Sequence, residues 1–548
     1  MATNTNALSP PGAQPDHAPK PFNAEGVDDF VRRLRGSYEE IHPEHWQIDW
    51  RSIPSPFRWY TDASRIDLST VSRTAAAGGS LGTEAFAAAD PLTRVGMLLH
   101  ACYGVTGVRW HPEGIAKSSP EEPTPVHRNA HYQLRRAMPS GGVTYPAECY
   151  LATTGAEGLD AGVYHYDAVR HALAVLTRGR PPAELTPPEG SVRIVLTQPL
   201  WKNYFKYGDF SYRLGAMDTG AVVGQFALVA RTWKLHCRVA FGVAERRILD
   251  LLGLDPMNEA APAVLDIAVG ATSGTGSDVA PPIGHPRWLG ASTPPGPDTG
   301  TCRMHAACLA IDHSERPVDL PPVVLEDLAD RVDAELPAVT ERTVSVADSW
   351  SRSALGEQLR SSPVPLDVLT DWLATALGPL DCDVPGSGLA HPRCLLIIRS
   401  IPGVPPGAYL PREDRRGLVR LASGDFGPLV QRSMFANYMN VAQAPLIAVM
   451  VGDAEPHLGT SGPIGYRTQH LLAGVLAQRL AVCAARDGMS AHPVLGFVSG
   501  VLDEAFDLAP RRLTSLLMVP VGSYRRGLYL ENSLSPLTAV PVSGGGGK

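Results

Sequence analysis

Lys206 and Tyr207 stand side by side in the segment KYGDFSYR, with a glycine behind them and a Tyr-Arg pair leading into a long apolar run. An amine beside a phenol is a proton-handling pair. A solvated lysine, with a pKa of about 10.4, is a poor base at neutral pH. Burial lowers that value, and a phenol beside a cation can act through its phenolate. On an open loop the same dipeptide would only meet water, so its use depends on what surrounds it. A second set of residues, Cys302, His305, Cys308 and His313 in CRMHAACLAIDH, offers four ligands of the kind zinc takes. Their spacing is not a usual paired-ligand pattern, and the segment reads as a short apolar stretch with incidental histidines. No metal is expected.

The elements that must position these residues come in two copies. At one offset, 254 residues, Tyr212 and Tyr466, Arg213 and Arg467, Gly220 and Gly474, Ala230 and Ala484, and Gly242 and Gly496 coincide. Upstream, PSGGVTYP at Pro139–Pro146 resembles PGSGLAHP at Pro385–Pro392. Each is followed by a β-rich run and then by GVYHYD (Gly162–Asp167) or GAYLPR (Gly407–Arg412). An internal duplication accounts for the same order of features occurring twice. Between the halves lies a Pro/Gly/Ser-rich stretch, Gly270–Gly300, suited to a linker or irregular loop. From Thr219 to Leu235 nearly every position is apolar or small. A helix without a polar face is buried on all sides. Helices are therefore predicted over about 218–235 and 470–486, packed across a pseudo-two-fold seam. Short β-branched and apolar runs predict strands at Cys149–Thr154, Val192–Gln198, Cys394–Ile401, Leu446–Gly452 and Leu516–Gly522. The class is α+β, with helices on a sheet.

Composition narrows the function. A 548-residue chain has room for two large domains. With 44% hydrophobic and 19% charged residues it can build a sizeable core. A net charge of −7 and the lack of a dense Lys/Arg stripe argue against nucleic acid as the main partner. No apolar run is long enough to predict a membrane span. The N-terminal stretch has neither an apolar signal region nor the arginines of a transit peptide, and reads as a Pro-rich disordered tail. Eight scattered cysteines suit reduced, buried thiols in a cytoplasmic protein.

Taken together, RAMPSGGVTYPAECY (Arg136–Tyr150), GVYHYD, KYGDFSYR and the apolar helix resemble the SagB-type, azoline-oxidising branch of the nitroreductase-like flavoproteins. Members convert thiazolines and oxazolines in ribosomally made peptides to thiazoles and oxazoles, using FMN. The resemblance covers about 29–270; residues 326–535 are similar to the broader nitroreductase fold. It implies a tail at 1–28, a first nitroreductase-like domain at 29–270, a linker or insertion at 271–325, a second domain at 326–535 and a flexible tail at 536–548. The two domains would form within one chain what is normally a homodimer.

The resemblance also implies a flavin site. Arg352 and Ser353 in SWSRSALGEQL match the family's phosphate-binding Arg/Ser motif, and Arg525 or Arg526 in GSYRRG matches a further basic group. SPFRWYTD in the first half departs from that motif. The loop Pro139, Ser140, Gly141 and Gly142, with Arg136 before it, matches the loop along one edge of the flavin ring, where glycine permits close backbone approach. Val143 stands where simple nitroreductases have asparagine. PVLGFV matches the turn near flavin N5 at Leu495 and Gly496, with Leu495 in place of the usual acid. Lys206 and Tyr207 match the catalytic Lys-Tyr pair; the resemblance leaves open which of them takes the proton while hydride goes to N5. Thr460 and Ser461 stand at their positions 254 residues on, which implies one FMN per chain and a degenerate second pocket. Oxygen would reoxidise the flavin. The implied partners are an azoline-containing precursor peptide, of a thiopeptide or another azole product, and the cyclodehydratase of the same pathway. A homodimer of the whole chain is compatible with this count. Two other functions remain open at this point: an NAD(P)H-dependent nitro- or quinone reductase, and a non-catalytic scaffold of a peptide-modifying complex.

Overall fold

A computed structural model describes residues 19–42, 46–48, 53–68, 82–110, 132–270, 280–281, 283, 288–289, 295–311, 317–320, 323, 331–339, 342–354, 359–385, 391–525 and 530–533. Two antiparallel seven-stranded sheets dominate. The first has the order Arg65–Asp67, Ala172–Arg178, Gly162–Asp167, Glu148–Thr153, Ser191–Pro199, Glu259–Ala268, Cys237–Ala240. The second repeats it with Ala334–Glu335, Gly417–Ser423, Gly407–Pro411, Arg393–Ile398, Leu446–Asp453, Leu513–Gly522 and Ser490–Ala491. All five sequence-predicted strands lie in these sheets, with ends moved by at most three residues. The central strands are buried on both faces, as their unbroken apolar runs require.

The two apolar helices run longer than predicted, over Phe210–Thr232 and Pro463–Arg486. Their starts were hidden by the Tyr-Arg pairs, which look polar but are buried in the first turn of each helix. Arg467 forms a two-pronged pair with Glu245, at 2.9 and 2.7 Å. Arg213 instead donates to the carbonyls of Leu34 and Leu516. Ahead of each helix stands a glycine in a backbone region closed to other residues: Gly208 at φ 51°, ψ −140° and Gly462 at φ 55°, ψ −142°. They are 254 residues apart, so the repeat extends to backbone angles.

The helices cross at glycines. A Cβ on Gly220 would lie 1.9 Å from the Leu471 carbonyl oxygen, and one on Gly474 would lie 2.1 Å from that of Met217. Met217 and Leu471 are also related by the repeat, so the contact is reciprocal. At the same seam Gln478 donates to Gln225, at 2.8 Å, and to the Ala137 carbonyl, at 3.2 Å.

Three segments depart from the sequence reading. The tail expected over 1–28 gives way to a helix at Ala24–Arg33, capped by the Asn23 side chain, with Val27, Phe30 and Val31 buried. Its apolar residues are few, and proline-rich surroundings mask them. The expected linker contains a helix, Gly300–Leu309, in which Cys302, His305 and Cys308 are buried. His305 hydrogen-bonds the Pro256 and Glu259 carbonyls through Nε2, and the Cys308 thiol lies 3.0 Å from the Tyr212 hydroxyl. His313 lies outside the described residues, among which no three metal-ligand side chains gather. Finally, Leu530–Ser533 pairs with Val105–Trp110, which pairs with Tyr132–Arg136. The end of the second half thus adds a strand to a hairpin of the first. The tail at 536–548 lies outside the described residues. No helix among them is long and apolar enough to cross a membrane.

Candidate active site

Lys206 and Tyr207 sit in the last turn of a short helix, Trp201–Tyr207, not in the loop suggested by their sequence. The turn behind them is pinned by Asp209, which accepts from the Arg33 guanidinium and the Thr301 N–H, both at 2.8 Å. The N-terminal helix and the helix of the expected linker therefore fix the end of this helix. Its inner side is tied to the Pro139–Tyr145 loop. Asn203 bonds the Thr144 hydroxyl, and Lys202 reaches the Tyr145 carbonyl at 3.5 Å while paired with buried Glu148 at 2.5 Å.

Both side chains end at one point. A Cβ built on Gly142, which has φ +63°, would lie 2.6 Å from the Tyr207 hydroxyl and 2.9 Å from the Lys206 amine. A side chain at 142 would displace both groups, and the positive φ there favours glycine. The Lys206 amine lies 5.2 Å from the Tyr207 ring centroid. Burial lowers the pKa of Lys206, favouring the neutral amine. Burial, with Asp218 nearby, raises that of Tyr207, favouring the neutral phenol.

The loop itself is held against the Phe210–Thr232 helix. Both carboxylate oxygens of Asp218 accept from the Gly141 N–H at 3.1 Å, and one accepts from the Ser140 hydroxyl at 2.9 Å. Burial pushes the Asp218 carboxyl up to about 7, against these donors. Arg136 points into an aromatic enclosure, with its guanidinium carbon 4.3 Å from the Tyr103 ring centroid and 4.8 Å from that of Tyr145.

Arg135, one residue earlier on the same strand, projects to the opposite face. It donates to the Arg352 carbonyl. Arg352 donates to the Ala137 carbonyl at 2.9 Å. Burial, with the charges of Arg135 and Arg109, lowers Arg352 to about 10. The Arg352 Nη1 and the neighbouring Ser353 hydroxyl are buried without a hydrogen-bond partner. A guanidinium and a hydroxyl with orphaned donors, under the positive charges of Arg135 and Arg109, would suit an anion.

From Ser353 the site closes through the second half. Ser490 and Ala491 bond the Ser353 carbonyl, and His492 bonds that of Ala354 at 2.7 Å. The His492 ring lies 6.5 Å from that of Tyr438, which is close enough to Tyr207 that ionising it would raise the Tyr207 phenol further. Leu495 is buried, and the Gly496 carbonyl accepts from the Phe435 N–H at 2.9 Å. Phe435 packs 6.2 Å from Phe210, at the head of the first-half helix. Two links thus cross the junction of the halves: Arg352 to the Ala137 carbonyl, just before Pro139, and the Gly496-bonded Phe435 to Phe210. Arg525 is exposed, two residues beyond Ser523, whose carbonyl accepts from Arg360. Arg526 lies outside the described residues.

The positions related by the repeat are occupied differently. Arg58 of SPFRWYTD is bound to buried Glu259 at 3.0 and 2.6 Å. The Gly242 N–H, counterpart of Gly496, donates to Asp383 at 2.8 Å. Thr460 and Ser461 are tied to Asp319, each at 2.8 Å.

Comparison with known proteins fits this architecture. No family model matches the chain. The crystal structure of a protein from Anabaena variabilis, described as a nitroreductase, superposes with a TM-score of 0.67 at 18% identity, covering 93% of this chain and 100% of that one. The chain has a nitroreductase-type fold. A nitroreductase-named protein of Methanocaldococcus jannaschii is 24% identical over 200 residues, 36% of this chain and 98% of its own length. The trifolitoxin-processing protein TfxB of Rhizobium leguminosarum bv. trifolii is 30% identical over 142 residues, 23% of this chain and 38% of its own length.

Within this nitroreductase-type frame, sequence reasoning missed Asp218, Arg135, Phe435 and Tyr438. An acid at the edge of an otherwise apolar helix was the available signal for Asp218. The Arg-Arg dipeptide ahead of the PSGG loop was the signal for Arg135. Phe435 and Tyr438 carry no local signal.

Proposed function

We propose that the chain is an FMN-dependent dehydrogenase that oxidises thiazoline or oxazoline rings of a ribosomally made peptide. Its two tandem domains, at 29–270 and 326–535, act as an intrachain pseudo-dimer with one complete site. The observation that carries this reading is the convergence of Lys206 and Tyr207 on Gly142. The residues present fit the cofactor. Arg352, Ser353, Arg135 and Arg109 would hold its phosphate, the PSGG loop one edge of its ring, and the Leu495–Gly496 turn the other. When bound, FMN supplies the two-electron acceptor, with oxygen restoring it.

The chain's own part is proton handling and placement. Aromatisation removes a proton and a hydride from adjacent ring carbons. Lys206, held toward its neutral form by burial, takes the proton at Nζ. Tyr207, held as a phenol, orients the ring by hydrogen bonding. The trifolitoxin-processing relative supports a role in processing; a peptide substrate and a cyclodehydratase of the same pathway as partner belong to this reading. The nitroreductase-named relative favours a second reading, a nicotinamide-dependent reductase. Rapid NAD(P)H oxidation with small acceptors would mark that case.

Incubation with an azoline-containing peptide should remove about 2 Da per ring by mass spectrometry. Lys206→Ala and Tyr207→Phe should keep a yellow, reducible flavin while slowing this by about 10²–10⁴-fold. Normal oxidation by both variants would exclude the assignment.

A further inference from the structure

The Pro139–Tyr145 loop has an unusual backbone. Besides Gly142 at φ +63°, Val143 stands at φ +60° and Tyr145 at φ +45°. A β-branched residue in this region is strained and persists only where its surroundings over-determine it. Asp218 makes the contacts that do so. It receives the Gly141 N–H and the Ser140 hydroxyl, and Ser140 Oγ in turn accepts from the Tyr145 N–H at 2.8 Å. The Tyr145 hydroxyl then accepts from the Arg136 N–H at 3.3 Å. One carboxylate thus anchors both ends of the strained run. Leu214, four residues earlier on the same helix face, blocks the other side of Gly141: a Cβ there would lie 2.6 Å from it.

We propose that Asp218 is the positioning residue that holds the PSGG loop in the conformation that seats Lys206 and Tyr207 against Gly142. Its carboxylate touches neither reacting group directly and acts through the loop. A buried acid on an apolar helix face has a large desolvation cost, and its donors, the Gly141 N–H and the Ser140 hydroxyl, both belong to that loop. The assignment rests on the reading of Lys206 and Tyr207 as the reacting side chains.

The test reads the lysine separately from turnover. The chain has six lysines, so reductive ¹³C-methylation of the flavin-loaded protein gives few resonances. The Lys206 signal is identified by its loss in Lys206→Arg. Asp218→Ala should shift that signal and lower kcat on an azoline peptide by about 10–100-fold, the scale of a misplaced reacting group, with KM nearly unchanged. Asp218→Asn, which keeps one acceptor oxygen, should recover part of both. An unmoved Lys206 signal in a folded Asp218→Ala protein overturns the proposal. Should that variant fail to fold, Ser140→Ala, which cuts the link to the Tyr145 N–H, is read by the same two criteria. If even the unaltered protein leaves azolines untouched, the functional reading falls, while the lysine signal still decides the role of Asp218.

Discussion

At Lys206 the structure sets stability against reactivity. Its amine is buried beside the Tyr207 ring, and burial lowers its pKa. The sign follows from proton binding. The unfolded chain keeps its lysine protonated to about pH 10.4, whereas the folded protein releases the proton earlier. Protonated Lys206 therefore destabilises the fold at low pH, and that deficit shrinks as pH rises from the folded toward the unfolded pKa. Lys206→Met should raise the melting temperature of the flavin-free protein at neutral pH, and the gain should narrow in alkaline buffer. In the unaltered, flavin-loaded protein, kcat/KM for azoline oxidation should rise with pH through an inflection below that of an ordinary lysine, because only the neutral amine accepts a proton. An inflection at or above about 10.4 would count against Lys206 as the base.

At the scale of elements, the crossing of Phe210–Thr232 with Pro463–Arg486 links seam to site. The Ala137 carbonyl, just before the PSGG loop, accepts from Gln478 of the second-half helix and from Arg352 of the proposed phosphate cradle. Helix spacing therefore sets where the two sides of the site meet. Gly220→Ala places a methyl 1.9 Å from a backbone oxygen that cannot swing aside. It should cost about 1–3 kcal/mol or more and weaken flavin binding. Gly500→Ala, in a helix where a Cβ meets nothing within 4 Å, serves as control and should be neutral or slightly stabilising. Thermal melts and flavin titrations of the two variants check this. The glycines at this crossing were legible because the repeat marked Gly220 and Gly474 together. The strand order was not, since each strand chooses its neighbours through long-range pairing that no local run encodes. Lys206, Tyr207 and the PSGG loop stood out as motifs. Asp218 did not, because a lone carboxylate at a helix edge reads as solvated until its donors are seen. Arg135 was passed over for Arg136, although strand alternation sends the two to opposite faces.

At the scale of the whole molecule, two related junctions have been given different contents. One is the proposed site, with Lys206, Tyr207 and the PSGG loop from the first half and Arg352, Ser353 and Gly496 from the second. At the other, each corresponding group is already engaged. Arg58 is neutralised by Glu259 inside the first sheet's core, so it has no charge to offer an anion. The Gly242 N–H is taken by Asp383. Thr460 and Ser461 have no amine or phenol, and Asp319 occupies their hydroxyls. An isologous dimer would repeat one site twice; a fused chain is free to keep one and let the other close. FMN released from purified protein should therefore approach one per chain, whether the chain is monomeric or dimeric. Arg352→Ala should take that ratio toward zero, because among the described residues the groups related to this cradle by the repeat are already bonded to side chains of the chain. A ratio near two in the unaltered protein, or one that halves in Arg352→Ala, would show that the second junction binds flavin despite its closed contacts.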